Sequence, residues 1–295
     1  MSYRRLPILG VVVAAVLCGL PASPARAQIV EVTTPLGQMY FKMRPGDAPI
    51  SVANFLKYIT DGDYADSFIH RSAFLFDSGV DVIQGGGYTI DQQGTFGLVP
   101  TDPPILNEPG VSNLRGTVAM ARSAGVNSAT SQWYVNLNDA NQVLDTNNEG
   151  FTVFADVVQG MDVADAIHNL SRVNIGNPFT QLPLLEEAQP PSVDYDEVVL
   201  TTYKIVIPGD TDGDGDIDDT DLGTVFTNYT GPVGAAGGKL FADGDTDFDG
   251  DIDDTDLGTI FTNYTGPLAP ASVPEPASAT LLSLAGLALV RRRAV

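Results

Sequence analysis

The sequence predicts a mainly β domain, an antiparallel barrel capped at its ends by two helices, followed by a small all-α module. Three observations carry this. Short alternating or β-branched apolar runs recur over residues 29–207, with only two stretches at helical spacing among them. Residues 116–136, GTVAMARSAGVNSATSQWYVN, read as strand, polar loop, strand, with Val118 and Met120 before the loop and Trp133, Tyr134 and Val135 after it. Beyond Pro208-Gly209 the chain repeats itself, DTDGDGDIDDTD at 210–221 and DTDFDGDIDDTD at 245–256, offset by 35 residues.

Residues 1–27 carry Arg4 and Arg5, an apolar run over 6–20, and Ala25-Arg26-Ala27, the form of a secretory signal with an A-x-A cleavage site. A membrane anchor is the alternative, but the run falls short of the roughly 20 residues of a spanning helix. The domain 28–207 opens with strands at 29–33 and 38–43, a hairpin turned at Pro35 and Gly37. Val52, Phe55, Leu56 and Ile59 predict a helix over 48–60, stopped by Asp61-Gly62 and placed to plug one mouth of the barrel. Val163, Ala164, Ile167 and Leu170 predict a second over 162–170. After the turn Gln189-Pro190-Pro191, residues 197–207 form the closing strand.

In the module, 208–267, each acidic repeat runs into near-identical text, LGTVFTNYTGP or LGTIFTNYTGP. Leu222, Val225, Phe226 and Tyr229, and likewise Leu257, Ile260, Phe261 and Tyr264, fall at i, i+3, i+4, i+7, so each helix has one apolar face. Neither can bury it alone, and the two are expected to pack on each other. The remainder, 268–295, holds Pro274-Glu275-Pro276, an apolar run of 14 residues over 277–290, and Arg291-Arg292-Arg293.

The net charge of −22 is concentrated: residues 210–256 contain 15 of the 37 acidic residues and one lysine. No basic patch offers itself to nucleic acid. Cys18 is the only cysteine, inside the N-terminal apolar run and preceded by Leu17, too bulky for a lipoprotein site. Disulfides, thiol catalysis and cysteine metal ligands are thereby excluded from the rest of the chain.

The central block resembles that of the cyclophilin family of peptidyl-prolyl isomerases, G-T-[ILV]-[AS]-M-A, a small-residue loop, then S-Q-[FW]-[FY]-[IV]. Other blocks follow in the family's order: Ala48-Pro49, Asn54-Phe55, Gly62, Tyr64, Phe68, His70-Arg71, the run Val82-Ile83-Gln84-Gly85-Gly86-Gly87, Val153-Phe154 and Gly160-Met161-Asp162-Val163. The resemblance covers roughly 29–207 and implies a closed eight-stranded barrel and catalysis without a cofactor. It implies Arg71 and Gln84 as catalytic residues, the Arg122 main chain as a holder of the substrate carbonyl, and Val82, Tyr134, Leu144 and Phe151 as the proline pocket. Its substrates would be proline-containing polypeptides.

The residue types suit that chemistry. Rotation about a peptide bond faces a barrier of about 18–20 kcal/mol because the nitrogen lone pair is delocalised onto the carbonyl. A permanently charged donor at the prolyl nitrogen stabilises the lone pair as it localises, and an apolar pocket fixes the ring. One departure bears on activity. SAFLFDSGVDVI separates Arg71 from Gln84, and Asp81 stands where the family has a pocket phenylalanine, so either Phe74 or Phe76 folds back into the pocket or the pocket is damaged. The family's pocket tryptophan or phenylalanine is Val143 here, and its usual histidine Phe151. His70 and His168 read as structural.

The acidic repeats match a calcium loop, in which oxygens come from positions 1, 3, 5, 7, 9 and 12 with glycine at 6. Asp210, Asp212, Asp214, Asp216, Asp218 and Asp221 fill those positions around Gly215, and Asp245, Asp247, Asp249, Asp251, Asp253 and Asp256 around Gly250. Position 7 supplies a main-chain carbonyl, so two structural Ca2+ sites are expected without the Asp216 and Asp251 side chains. The barrel has no comparable site and is expected to melt independently of calcium. Paired loops with aspartate at position 12 resemble dockerin modules, which implies a cohesin-like partner. Pro-Glu-Pro, a short apolar helix and a basic tail resemble the PEP-CTERM sorting signal, which implies transient membrane anchoring and removal by an exosortase. The whole reads as an exported isomerase, in the periplasm, at the outer surface or outside the cell, with a calcium-dependent docking module. The alternative is a catalytically impaired cyclophilin-like binding domain on a cell-surface or scaffold component.

Overall fold

The computed structural model describes residues 28–74, 76, 79–186, 193–232 and 238–266; the expected signal segment, the Gln189-Pro190-Pro191 turn and the sorting tail lie outside them. The described residues form twelve strands: β1 (Ile29–Thr34), β2 (Gly37–Met43), β3 (Arg71–Ala73), β4 (Val82–Gly85), β5 (Tyr88–Ile90), β6 (Phe96–Leu98), β7 (Thr117–Met120), β8 (Trp133–Asn136), β9 (Val153–Gln159), β10 (Arg172–Val173), β11 (Leu182–Pro183) and β12 (Thr202–Val206). Eight form one curled antiparallel sheet in the order β12-β1-β2-β9-β7-β8-β4-β3; β5–β6 and β10–β11 are separate ribbons. The expected closed barrel is therefore a curled sheet with a seam. Across the seam the described residues are joined by the Phe68–Leu200 bridge, the bonds Ile69 N to Val199 O and Thr201 N to Ser67 O, and the Thr201 hydroxyl on Ser67. Beyond the seam β3 turns to the β10–β11 hairpin instead, where the Ser72 N–H donates to Gln181 O at 2.9 Å.

Side-chain alternation decides what each face does. In the β1–β2 hairpin Val30, Val32, Met39, Phe41 and Met43 point into the core with Trp133, Phe55 and Phe154. The helix α1 (Pro49–Asp61) starts on a proline at its first turn and stops at Gly62 in the left-handed conformation, as expected within a residue. It lays Val52, Phe55 and Tyr58 over one mouth of the curled sheet. The helix α2 (Met161–His168) covers β2 with Val163, Ala164 and Ile167 and ends two residues before the expected Leu170.

The acidic repeats lead into α3 (Asp219–Asn228) and α4 (Asp254–Asn263). Their shared core is Ile217, Val225, Ile252 and Ile260, with Leu222 and Leu257 beside it. The apolar face is narrower than the spacing suggested: Phe226 and Phe261 are exposed, and the Tyr229 and Tyr264 hydroxyls donate to Asp254 and Asp219 of the opposite repeat. The repeats also exchange main-chain bonds, Thr230 N to Ile252 O and Thr265 N to Ile217 O. No helix among the described residues is long and apolar enough to cross a membrane.

Candidate active site

On the outer face of β3, β4, β8 and β7, cross-strand register sets Arg71 opposite Gln84, Gln84 opposite Tyr134, and Tyr134 opposite Ala119. These residues line a groove of about 250 Å³ with Val80, Val82, Ala121, Arg122, Leu144 and Phe151. All the groove residues expected from the sequence thus converge, and Val80 and Ala121 join them. The wall is apolar; the polar groups sit at its ends.

Arg71 is half-buried and clamped by two amide oxygens, Nη1 to Gln84 Oε1 at 3.3 Å and Nε to Gln181 Oε1 at 3.2 Å. Burial lowers its pKa from the ordinary guanidinium value, yet a guanidinium stays charged in proteins. Gln84 is held in turn, its Nε2 donating to Gln132 Oε1 at 2.8 Å. Gln181 escaped the sequence reading because it lies 110 residues from Arg71 on a ribbon with no apolar periodicity. Its one local signal is Pro183, which marks an edge strand.

The pocket wall is fixed from behind. The Tyr134 hydroxyl donates to Asn113 Oδ1 at 2.9 Å, within a buried network in which Asn136 bonds Asn113 and Thr117, and Asn141 bonds Asn136. Asn141 sits on the 3-10 turn 139–145, so the network also positions Leu144. The Phe151 ring meets Tyr134 edge-on, and its other side carries the Arg122 guanidinium 4.2 Å from the ring centroid. The Arg122 side chain is thus spent on the groove rim, where it also donates to Gly150 O.

Asp81 does not face the groove. Strand parity puts residues 80, 82 and 84 on the pocket side, and Asp81 points the other way, accepting from Asn138 Nδ2 at 3.1 Å and lying 3.4 Å from His168 Nε2. Val80 therefore occupies the place expected for Phe74 or Phe76. Phe74 instead stacks on His168 at 3.9 Å, and Phe76 is 82% exposed. Val143 is exposed and does not line the groove. His70 is buried edge-on against Tyr88, and burial pushes its pKa down to about 3, so at neutral pH it is the uncharged imidazole with a single ring N–H.

In each acidic loop, carboxylate oxygens gather in two overlapping groups within 4.8 Å of one another: Asp210, Asp212 and Asp221 with Asp216, Asp218 and Asp221, and Asp245, Asp247 and Asp256 with Asp251, Asp253 and Asp256. Contrary to the position-7 expectation, the Asp216 and Asp251 side chains belong to these groups. Asp214 and Asp249 do not; each accepts the N–H two residues on, at 3.1 Å. Burial, with the neighbouring carboxylates, pushes Asp245 up to about 7 and Asp247 up to about 6, and raises Asp210 and Asp212 in the same direction. Among the described residues, Oδ1 of Asp210 and of Asp251 is buried without a hydrogen-bond donor.

The model of the family "Cyclophilin type peptidyl-prolyl cis-trans isomerase/CLD" matches residues 29–187. The chain is 38% identical over 158 residues to peptidyl-prolyl cis-trans isomerase A of Dickeya dadantii, across 52% of this chain and 77% of that protein. It is 37% identical over 169 residues to a peptidyl-prolyl cis-trans isomerase of Acinetobacter baylyi, across 56% and 85%. To peptidyl-prolyl cis-trans isomerase B of Escherichia coli it is 38% identical over 142 residues, across 46% and 80%.

Proposed function

The chain belongs to the cyclophilin-type peptidyl-prolyl cis-trans isomerase family, and on that premise we propose that its groove isomerises X-Pro bonds in exported proteins. The observation that carries this is the Arg71 guanidinium, fixed by two neutral amides at the end of an apolar groove. The proline ring lies against Val80, Val82, Tyr134, Leu144 and Phe151, and Arg71 donates to the prolyl nitrogen as its lone pair localises. Gln84 and the main chain at Arg122 hold the substrate backbone so that one side of the bond turns against a fixed other side. No group in the groove needs to move a proton. The binding-only alternative rested on a carboxylate in the pocket, and Asp81 faces away from it.

The acidic loops are read as two calcium sites. Their oxygen-only donor set suits a hard cation, and the two donorless buried oxygens mark where positive charge is wanted. Asp210, Asp212, Asp216, Asp218 and Asp221 would hold one ion and Asp245, Asp247, Asp251, Asp253 and Asp256 the other, each ion cancelling the repulsion among its ligands. With the ions in place the exposed faces of α3 and α4 would meet a cohesin-like partner. The export signal and the sorting tail would place the protein outside the cytoplasm. A protease-free assay of proline isomerisation on the parent and Arg71→Ala tests the catalytic reading; equal rates would end it.

A further inference from the structure

The outer face of β1, β2 and β12 is polar at Glu31, Thr33, Gln38, Lys42 and Lys204, as a solvated sheet face should be. Three residues break that pattern. Ile29, Tyr40 and Val206 point outward yet are only 3%, 4% and 6% exposed. They share one buried cluster with the acidic module: Phe241 belongs to it, and Val158 and Phe248 pack against it. The two phenylalanine rings stack with centroids 5.3 Å apart and planes 7° apart, and each meets Tyr40, at 5.8 Å and 5.4 Å. Gln159, opposite Tyr40 on β9, closes the joint in both directions, accepting from Phe241 N at 3.3 Å and donating to Lys239 O at 3.1 Å.

The two acidic loops differ at position 4, and this joint is where the difference is used. The first loop has Gly213 with φ +76, where an added Cβ would lie 2.4 Å from Lys204 Nζ, which donates to the Gly213 carbonyl. The second has Phe248 at φ +68, a conformation bulky residues rarely adopt. A strained non-glycine residue persists where surrounding contacts hold it, and here they are Phe241 and Tyr40. The Phe248 backbone is fixed by a member of the carboxylate cluster: Asp245 Oδ1 accepts from Phe248 N at 2.8 Å and from Asp249 N at 3.1 Å. A group that orders Asp245 therefore orders the ring that touches the barrel.

Building on the reading of the loops as cation sites, the geometry points to a cation-linked joint: calcium in the second loop and docking of the module on the barrel at Tyr40 reinforce each other through Phe248. Linkage is reciprocal, so the barrel raises the calcium affinity of that loop as the ion strengthens the dock. Such a joint would make the melting of the barrel depend on calcium, against the expectation that it melts independently.

The test is calorimetric titration of the full chain with calcium, with a thermal melt of each sample in calcium and in chelator. F248G restores the residue of the first loop and fits the left-handed backbone without strain, so a purely local effect would leave the second site as tight or tighter. The joint requires the opposite: the second site weakens about three- to tenfold, the worth of one or two aromatic contacts, while the first is unchanged. The barrel also loses its upward shift in melting temperature with calcium. Q159A should do the same from the barrel side without touching the loop, and it decides the matter if F248G misfolds. Two calcium steps in the parent with unchanged affinities in both variants would overturn the joint and leave the cation reading intact. No calcium heat in the parent would remove both.

Discussion

The Arg71 guanidinium is one cation held by two neutral amide oxygens, whereas each acidic loop crowds seven aspartates into twelve residues around main-chain N–H donors. Among the described residues no carboxylate pairs with Arg71, so its charge is left for what enters the groove. The groove is complete as folded. The loops hold more charge of one sign than their donors can offset, and burial of Asp245 sharpens the imbalance. On the proposed reading, function could be removed from the first region without unfolding anything, whereas in the second a bound cation and the fold would be one equilibrium.

The largest break of that contrast is Arg71→Ala, which should lower kcat/KM by about 10²–10³-fold, the scale for losing one preorganised donor. Its melting temperature should stay close to the parent's, because a groove residue contributes little to packing. A loss of fold together with activity would make Arg71 structural. Chelation should do the reverse: circular dichroism should lose the helices of 208–266 in chelator and regain them with calcium, while isomerisation continues. A spectrum indifferent to calcium would place the loops in the same class as the groove.

His70 separates the regions by pH. Its folded pKa, about 3, lies below its ordinary 6.5, so the unfolded chain takes up the proton first. Its contribution is therefore full above pH 6.5 and falls as the pH drops toward 3, by about 1.4 kcal/mol per unit. Denaturant melts of parent and His70→Gln across this window should show the parent alone carrying that slope. The isomerisation rate should stay flat from pH 6 to 8, since no groove residue titrates there. Gln181→Ala should reduce kcat/KM by about tenfold, the loss of one hydrogen bond to a charged group. The smallest effect is expected of Asp81→Asn: turnover within about twofold, with any cost in stability near 1 kcal/mol. A large drop in turnover would return Asp81 to the pocket.

Much of this was legible in one dimension because it is local. The strands around the 116–136 loop, both helices and the gathering of carboxylates in the loops rest on periodicity and on residues a few positions apart. The groove residues were found through ordered blocks of familiar wording. What escaped depends on three-dimensional neighbours. Counting along the insertion puts Asp81 in the pocket, whereas strand parity from Val82 backwards sends Val80 inward to the groove. Gln181 reaches Arg71 only once a hairpin folds across β3, and Phe241 meets Tyr40 across 201 positions of chain, so neither contact leaves a local pattern.

The seam in the curled sheet makes β3 an edge strand whose outer side is backed by the β10–β11 ribbon instead of by another barrel strand. Arg71 is thereby mounted between a rigid wall, through Gln84, and a surface ribbon, through Gln181. For protein engineering this is an adjustment screw. Libraries confined to residues 172–183 would shift the guanidinium by fractions of an ångström while the hydrophobic interior, which tolerates little change of volume, is left as it is. Selecting such libraries on different X-Pro peptides is a route to altered sequence preference that leaves the groove residues untouched.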